Sequence, residues 1–451
     1  MNNLELFGFG NPTSALVQAV KELFENSLDA IQASSKGMIT VRLKEAPCKR
    51  ALEIVCSDTG SGIQSNHIAK LCCGVFATTK APRGYPQCGK FGVGLKAALL
   101  YSQRTLDKAK SCLKVTSTLN STEFYYAELS VDLDSAENDN AVIQKSSHFG
   151  ITESHESFSG TEIRLQLPWP QDVGTPIQAL VYYFETLSYT LDSSISVEFV
   201  CELEGFETCK ILCNSPLDPL DRFLGEFNTS YENLAHADLD CNGFHVNCIA
   251  IAPYLNVTEL EGKCTLDIRL LRYSNHIPLC PTKDLHHCAI TTALQACNWK
   301  SLGYKCIAGK SPFSPLQLVP QPKGSMRDTK SIIFAIDVTT YEGTTKFCSL
   351  TKSALESDYH HGISKCLIHV LDQLPAIHPG LFEQTNPCYR LSLEYAPLVA
   401  NAVTSILLNS NDLDLDMDHF ESDGLFWNVH STDIIHGRLL DKIKGTLNKQ
   451  C

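Results

Sequence analysis

A run of glycines that leads directly into an apolar stretch constrains this chain more than any other feature. The run covers residues 89–96 and reads GKFGVGLK, and apolar residues continue from there to about residue 103. Glycines at the start of a helix leave backbone N–H groups open to an anion, and the helix dipole favours negative charge there. The run therefore predicts a phosphate cradle at the beginning of a helix.

Two earlier stretches carry polar groups that suit such a cradle. Glu22, Asn26 and Asp29 follow at i, i+4 and i+7 in a stretch with helical apolar periodicity, so they share one helix face. A strand-like stretch then ends at Asp58, which is followed by Gly60 and Gly62. Taken singly, these are a solvated helix face and an ordinary turn. In combination with the glycine run, they predict one ATP site.

Other glycine-loop sites fit the sequence less well. Residues 84–90 nearly match a P-loop, but Phe91 stands where the magnesium-binding hydroxyl is needed, and no strand leads into Gly84. A Rossmann fingerprint requires the opposite glycine spacing directly after a strand, and the other protein-kinase motifs are missing. The cysteines and histidines at 280–288 lack the ligand spacing of a zinc site.

Composition limits where such a site operates and with which partners. The chain has 451 residues, which suits two or three domains, and a net charge of -13. Proteins that hold DNA by themselves usually carry a basic surplus, so any work on DNA is expected to be shared with a partner. The 20 cysteines are scattered without C-x-x-C pairs, and no signal peptide or membrane span is visible. We therefore expect an intracellular protein with reduced thiols.

The secondary-structure pattern predicts four regions. Residues 1–202 form the ATP-binding domain, in which a helix begins after Asn11 and the last strand covers 195–201. Residues 203–245 are a polar connector, and 246–375 form a second αβ unit with helices predicted over 284–297 and 352–374. Residues 376–451 form a helical tail divided by an acidic run.

The motifs, taken in order and with a later Gly160-Thr161, resemble those of the GHKL ATPase superfamily. This superfamily includes gyrase, a class of heat-shock chaperones, mismatch-repair ATPases and histidine kinases. Within it, residues 89–102 are similar to the eukaryotic topoisomerase VI B subunit. The segments LRYSNHIP at 271–278, NWKS at 298–301 and GTTK at 343–346 resemble segments of that family's second domain.

The resemblance implies an α+β fold: a GHKL (Bergerat) ATPase sandwich followed by a transducer domain of βαβ type and a C-terminal helical tail. It implies that Glu22 activates water, that Asn26 holds Mg²⁺, and that Lys346 reaches the γ-phosphate of ATP from the transducer. Lys352 is close enough in sequence to remain an alternative to Lys346. The implied nucleotide-binding residues are Asn26, Asp29, Ala30, Asp58, Gly60, Gly62, Thr79, Lys80, Gly89, Lys90, Phe91, Gly92, Val93, Gly94, Leu95, Lys96 and Thr161.

The implied function is that of a B-type subunit that pairs with the DNA-cleaving A-type subunit. ATP would dimerise two B-like chains, giving an A2B2 complex that acts on DNA in the nucleus, with no membrane involved. The 203–245 connector leaves little room for the helix-two-turn-helix domain of topoisomerase VI B, which favours a meiotic B-like subunit that supports DNA double-strand breaks. Two alternatives remain open: a type IIB topoisomerase subunit with strand passage, and a scaffold that does not hydrolyse ATP.

Overall fold

The chain folds around two β-sheets, each with its own hydrophobic core, in a computed structural model. The structure describes residues 4–32, 36–47, 51–74, 92–106, 111–120, 123–131, 142–151, 160–204, 208–213, 217–253, 264–280, 287–321, 329–341, 345–379, 381–382, 396, 398–403 and 440. Helices and strands therefore make up an α+β fold, as the sequence predicts.

The first sheet has eight strands in the order β5-β4-β3-β6-β2-β1-β7-β8. Only β1 and β7 run parallel among its neighbouring pairs, and the other neighbours are antiparallel. The strands are β1 (Gly37–Glu45), β2 (Ala51–Asp58), β3 (Leu113–Thr118), β4 (Glu123–Val131), β5 (Val142–Ile151), β6 (Gly160–Pro168), β7 (Ile195–Glu202) and β8 (Cys209–Cys213).

Four helices accompany this sheet: α1 (Pro12–Gln32), α2 (Ser65–Cys73), α3 (Gly94–Thr105) and α4 (Gly174–Leu187). Asn11 caps α1, since its side-chain Oδ1 accepts a hydrogen bond from the Ser14 N–H at 2.9 Å, and Pro12 takes the first helical position. The helix α1 packs on β1, β2 and β6 and lies beside α3 and α4. Its polar residues are thereby placed next to the end of β2 and the start of α3.

The second sheet has seven strands in the order β13-β14-β11-β15-β10-β9, with β12 paired to β11. The parallel neighbours β11 and β15 are joined by a crossover that contains α6 (Ala289–Ala296), which is the predicted βαβ connection. The helix α7 (His360–Ile377) packs on β9, β10 and α6. The strands are β9 (Leu234–Cys241), β10 (Phe244–Ile251), β11 (Thr265–Ser274), β12 (Ile277–Pro278), β13 (Tyr304–Ser311), β14 (Ser314–Pro320) and β15 (Thr329–Thr340).

A third hydrophobic cluster joins the end of α4 to the second sheet. It contains Tyr189 after α4, Phe223 on α5 (Pro219–Glu226), and Tyr273 on β11. The Tyr273 hydroxyl donates to the backbone carbonyl of Thr186 at 3.0 Å within this buried contact. A shift of the second sheet would therefore act directly on α4, which in turn packs against α1.

The segment predicted as a polar connector contributes to both sheets. It supplies β8 to the edge of the first sheet and β9 to the edge of the second, with α5 between them. Of the predicted helical tail, the structure describes 396, 398–403 and 440 beyond Phe382, and these are helical. No helix in the described ranges has the length and apolar character needed to cross a membrane.

Candidate functional site

The carboxylate of Glu22 lies directly against the start of α3. A Cβ atom added at Gly94 would be 1.9 Å from Glu22 Oε2, so only a glycine leaves room for this side chain. Gln18, one turn earlier on α1, donates from Nε2 to Glu22 Oε1 at 2.9 Å. Glu22 is buried. The structure therefore brings the predicted acid on α1 and the predicted glycine run together, and it adds Gln18 as the group that orients the acid.

Asp58, at the end of β2, is held by three hydrogen bonds. Its Oδ1 accepts from the N–H groups of Gly60 at 2.9 Å and Thr161 at 3.3 Å, and its Oδ2 accepts from the Ser27 hydroxyl at 3.0 Å. Burial raises the pKa of the Asp58 carboxyl to about 6, although these three hydrogen bonds work in the opposite direction. Ser27 connects Asp58 to α1, one residue after Asn26.

Glycines allow the backbone around Asp58 to come unusually close to its neighbours. A Cβ at Gly60 would lie 2.9 Å from the Cβ of Ala30 on α1. Gly160 has a φ of +85°, and a Cβ there would be 2.1 Å from the Asp58 carbonyl oxygen. Thr161 is fixed by a 2.9 Å hydrogen bond between its hydroxyl and that of Ser117. The predicted residues Ala30, Gly60 and Thr161 therefore belong to one cluster with Asp58.

Gly62 closes the same region from the other side of the turn. Its φ is +69°, and a Cβ there would be 2.1 Å from the carbonyl oxygen of Thr118 on β3. The N–H of the next residue, Ile63, donates to the Ser117 hydroxyl at 2.8 Å. The turn after β2 is thereby anchored to β3, beside the Ser117–Thr161 pair.

The start of α3 offers the groups that an anion requires. Gly92 has a φ of +58°, and the helix begins at Gly94 after Val93. The first N–H groups of a helix have no partner within it, and Val93 has no side-chain oxygen to accept from them. The carboxylate of Glu22 lies at the same place. This arrangement fits a phosphate group next to an acid that could accept a proton.

Asn26 and Asp29 continue the same face of α1 after Glu22. Asn26 is half-buried and Asp29 is buried. An amide oxygen on this face, one turn from Glu22, is the kind of hard oxygen ligand that Mg²⁺ accepts while it keeps other positions for phosphate and water. The donor set and the glycine cradle therefore fit a nucleotide with Mg²⁺, with Asn26 as the residue that would hold the metal.

A lysine from the second sheet reaches this face of α1, and it is Lys352. Its Nζ lies 2.7 Å from Glu25 Oε2 and 3.6 Å from Glu22 Oε1, and all three side chains are buried or nearly so. Lys346, which the resemblance points to first, instead makes an exposed ion pair with Asp358, with Nζ 2.5 Å from Oδ2. Of the two lysines that the sequence leaves open for the transducer role, Lys352 is therefore the one whose ammonium group lies against α1.

The remaining predicted residues divide into two groups. Leu95 and Lys96 are buried in the first turn of α3, and Lys96 lies near Cys72 and Cys73 of α2. Burial raises the pKa of the Cys72 thiol to about 12, and the positive charge of Lys96 acts in the opposite direction. Lys96 therefore lies near α2 as well as in the first turn of α3, where the cradle is. Five predicted residues lie outside the described ranges: Thr79, Lys80, Gly89, Lys90 and Phe91.

Comparison with known proteins assigns this part of the chain to a family. Residues 13–161 match the family model of histidine kinase-, DNA gyrase B- and HSP90-like ATPases. Residues 13–161 are a GHKL ATPase domain. All of the site residues described on α1, β2, α3 and β6 lie inside this GHKL domain, whereas Lys352 lies far outside it.

Curated relatives are also similar to part of the chain. The chain is 32% identical over 174 residues to the B subunit of type 2 DNA topoisomerase 6 from Saccharolobus solfataricus, which covers 38% of this chain and 31% of the relative. The corresponding protein from Saccharolobus shibatae gives the same identity and coverage. The chain thus spans about a third of the length of these relatives.

A crystal structure of the gyrase B subunit from Myxococcus xanthus aligns at 14% identity with a TM-score of 0.43, over 80% of this chain and 92% of that one. The N-terminal domain of a DNA repair protein aligns at 13% identity with the same TM-score, over 81% of this chain and 96% of that one.

Proposed function

We propose that this chain is the ATP-binding B-type subunit of a topoisomerase VI-like complex that cleaves DNA through an A-type partner. The observation that carries the proposal is the meeting of Glu22, Gly94 and Lys352 at one place. The first two belong to the GHKL domain, and the third comes from a loop of the second sheet. A site built from both parts lets the second sheet respond to the state of the nucleotide.

The side chains divide the chemistry of hydrolysis among them. Glu22, oriented by Gln18, accepts a proton from the attacking water, and the N–H groups at the start of α3 hold the phosphates. Asp58 would accept a hydrogen bond from the adenine amino group, and Asn26 would supply an oxygen ligand to the metal. Bound Mg²⁺ neutralises the charge that develops on the phosphates. Lys352 would exchange its contact with Glu22 for one with the γ-phosphate, which would couple the loop that carries it to turnover.

We propose further that the complex forms meiotic DNA double-strand breaks rather than passing strands. The support is the short path between the two sheets: β8 ends at Cys213, and β9 begins at Leu234, with α5 between them. This leaves little room for the helix-two-turn-helix domain that the topoisomerase VI B family carries at this point. In this proposal two chains dimerise with ATP and join two A-type subunits in the nucleus.

A phosphate-release assay with the wild-type protein and Glu22→Ala tests the enzymatic part of the proposal. We expect the variant to bind ATP with unchanged affinity and to lose turnover by at least about 100-fold, because the base is missing while the cradle is intact. Turnover at the wild-type rate in the variant would remove Glu22 from its role.

Co-purification with an A-type subunit tests the partner, and a decatenation assay of the complex separates the two DNA reactions. We expect a stable complex that cleaves duplex DNA without passing one duplex through another. ATP-driven decatenation would show a type IIB topoisomerase instead.

A further inference from the structure

Glu25 is the carboxylate that lies nearest to the ammonium group of Lys352. The two are joined by a 2.7 Å contact between Nζ and Oε2, whereas Glu22 Oε1 is 3.6 Å away. The side chain of Glu25 is 5% exposed and that of Lys352 is 14% exposed. The sequence motifs of the site do not use Glu25, which stands between Glu22 and Asn26 on α1.

The surroundings of Glu25 make this ion pair consequential. A buried carboxylate is costly unless a positive charge lies close to it. Lys21, one turn earlier on α1, is buried with its Nζ 5.8 Å from the centre of the Tyr183 ring, and its charge acts on Cys280, as does that of Glu25. Glu25 and Lys21 therefore both lie near Cys280, and Lys352 brings to Glu25 a positive charge from a loop of the second sheet.

The backbone of that loop is fixed on both sides of Lys352. The lysine loop, residues 346–356, is closed by the bridge between Phe347 and Leu355. The Arg272 guanidinium donates to the Ser353 carbonyl at 3.0 Å and to the Cys280 carbonyl at 2.8 Å. Lys352 itself has a φ of +53°, a conformation that costs free energy in a residue with a side chain and persists only where contacts hold it.

The tip of the lysine loop also contacts the chain on the other side of the site. A Cβ at Gly8 would be 3.1 Å from Thr351 Cγ2 and 3.2 Å from Gln18 Cγ, so the loop tip, the N-terminal segment and α1 meet beside the Glu22 carboxylate. The Glu25–Lys352 pair joins opposite charges of α1 and the lysine loop at hydrogen-bond distance. Loss of Glu25 would leave Lys352 with the longer contact to Glu22.

We propose that Glu25 is a positioning residue that holds the lysine loop closed on α1 before nucleotide binds. This rests on the proposed function, in which Lys352 serves the γ-phosphate. Because Glu25 holds the ammonium group, Lys352 is already beside the cradle when ATP arrives, and it can leave Glu22 without leaving the site. Glu25 thus separates two tasks: it keeps the lysine in place, and it frees Glu22 to act on water.

Hydrogen exchange of the nucleotide-free, full-length protein tests the closed loop without any reference to hydrolysis. The reporters are the loop amides of Cys348, Lys352 and Glu356, which donate within the loop. In Glu25→Gln we expect their exchange to be at least about tenfold faster than in the wild type, because the loop opens more often.

The matched control is Glu198→Gln, which removes the ion-pair partner of Lys210, an exposed residue on the edge strand β8 of the first sheet. We expect the exchange of the lysine-loop amides to be unchanged in this variant. Equal exchange in the wild type and Glu25→Gln would overturn the proposal.

A double-mutant cycle on ATP turnover tests whether Glu25 acts through Lys352. We expect Glu25→Gln to lower kcat about tenfold with KM within about twofold, and to cause no further loss in a Lys352→Met background. Losses that multiply would contradict a role through the lysine. If the wild-type protein shows no turnover, the proposed function fails, while the exchange result still decides whether Glu25 holds the loop.

Discussion

Glu22, Glu25 and Asp58 are buried acidic side chains of the candidate site, and their charges are compensated in two ways. Glu22 and Glu25 share the ammonium group of Lys352. Asp58 has three hydrogen-bond donors instead, and burial raises the pKa of its carboxyl to about 6. The ion pairs of Glu22 and Glu25 connect α1 to a loop distant in sequence. The raised pKa of Asp58 makes the proposed adenine end of the site sensitive to pH.

Replacement of the two lysines separately tests which one serves the site. We expect Lys352→Ala to lower kcat by about 100-fold with little change in ATP affinity, because a positive charge that acts on the transition state is lost. Lys346→Ala is the matched control, since this exposed lysine in the same loop pairs with Asp358, and we expect wild-type turnover from it. If steady-state kinetics show the larger loss of kcat in Lys346→Ala, Lys346 is the lysine that serves the site.

The raised pKa of Asp58 predicts a pH dependence of stability. A carboxyl whose pKa is higher in the fold than its ordinary value of 3.8 favours folding when protonated, so its contribution is fully present below about 3.8 and is lost as the pH rises through about 6. The cost of the buried charge at pH 7 is then roughly 3 kcal/mol at most, since one pKa unit corresponds to about 1.4 kcal/mol.

Urea unfolding of the wild-type protein and Asp58→Asn between pH 4 and pH 7 measures this contribution. We expect the free energy of unfolding of the wild type to fall relative to that of the variant over this range, because only the wild type must bury a charge there. ATP affinity of the wild type should fall below pH 6, as the carboxylate is protonated. If the free energies of unfolding of the wild type and Asp58→Asn change in parallel between pH 4 and pH 7, the raised pKa of Asp58 is contradicted.

At the scale of elements, local sequence signals predict the parts of the GHKL domain that hold the site. The cap at Asn11 marks the start of α1, and the apolar strand before Asp58 marks β2. In contrast, α2 is not predicted from the sequence, because it is short and its Gln64 cap makes no side-chain hydrogen bond. The strand β5 was not predicted either, since it lies at the sheet edge with exposed side chains over 146–149 and so lacks an alternating pattern.

The lysine loop shows why tertiary contacts escape a local interpretation. The sequence predicts a helix from residue 352, whereas α7 begins at His360 and Lys352 adopts a left-handed turn conformation. Gln18, Ser27 and Glu25 were missed for a related reason: they stand at ordinary positions on α1, and only the approach of β2 and the lysine loop gives them partners.

The contact between α1 and α3 predicts the effect of a single methyl group. In Gly94→Ala the new Cβ would be 1.9 Å from Glu22 Oε2, so the acid or the start of α3 must move. We expect turnover to fall by at least about tenfold, because small displacements of a catalytic group are costly. Gly174→Ala is the matched control: Gly174 also begins a helix, but its nearest neighbour would be 3.4 Å away, and wild-type turnover is expected. Full activity in Gly94→Ala would contradict the described packing.

At the scale of the whole molecule, two cores contribute to one site. The first core carries α1, β2 and α3, and the second supports the lysine loop through β11, whose Arg272 holds the Ser353 carbonyl. The buried hydrogen bond from Tyr273 to Thr186 connects the same strand to α4. A ligand can shift the arrangement of the two cores only by its difference in affinity for the two states. Lys352 can supply such a difference in affinity. It pairs with Glu22 and Glu25 on α1, and in the proposed function it also pairs with the γ-phosphate of the nucleotide.

The central claim is that residues dispersed over the chain bind one nucleotide, and titration calorimetry with Mg²⁺ and a non-hydrolysable ATP analogue tests it most directly. We expect one analogue per wild-type chain and at least about 100-fold weaker binding in Asn26→Ala, because the metal loses its protein ligand. Asn247→Ala, on β10 of the second sheet and paired with His236, is the control and should bind as the wild type does. Equal affinity in the wild type and Asn26→Ala would contradict the claim.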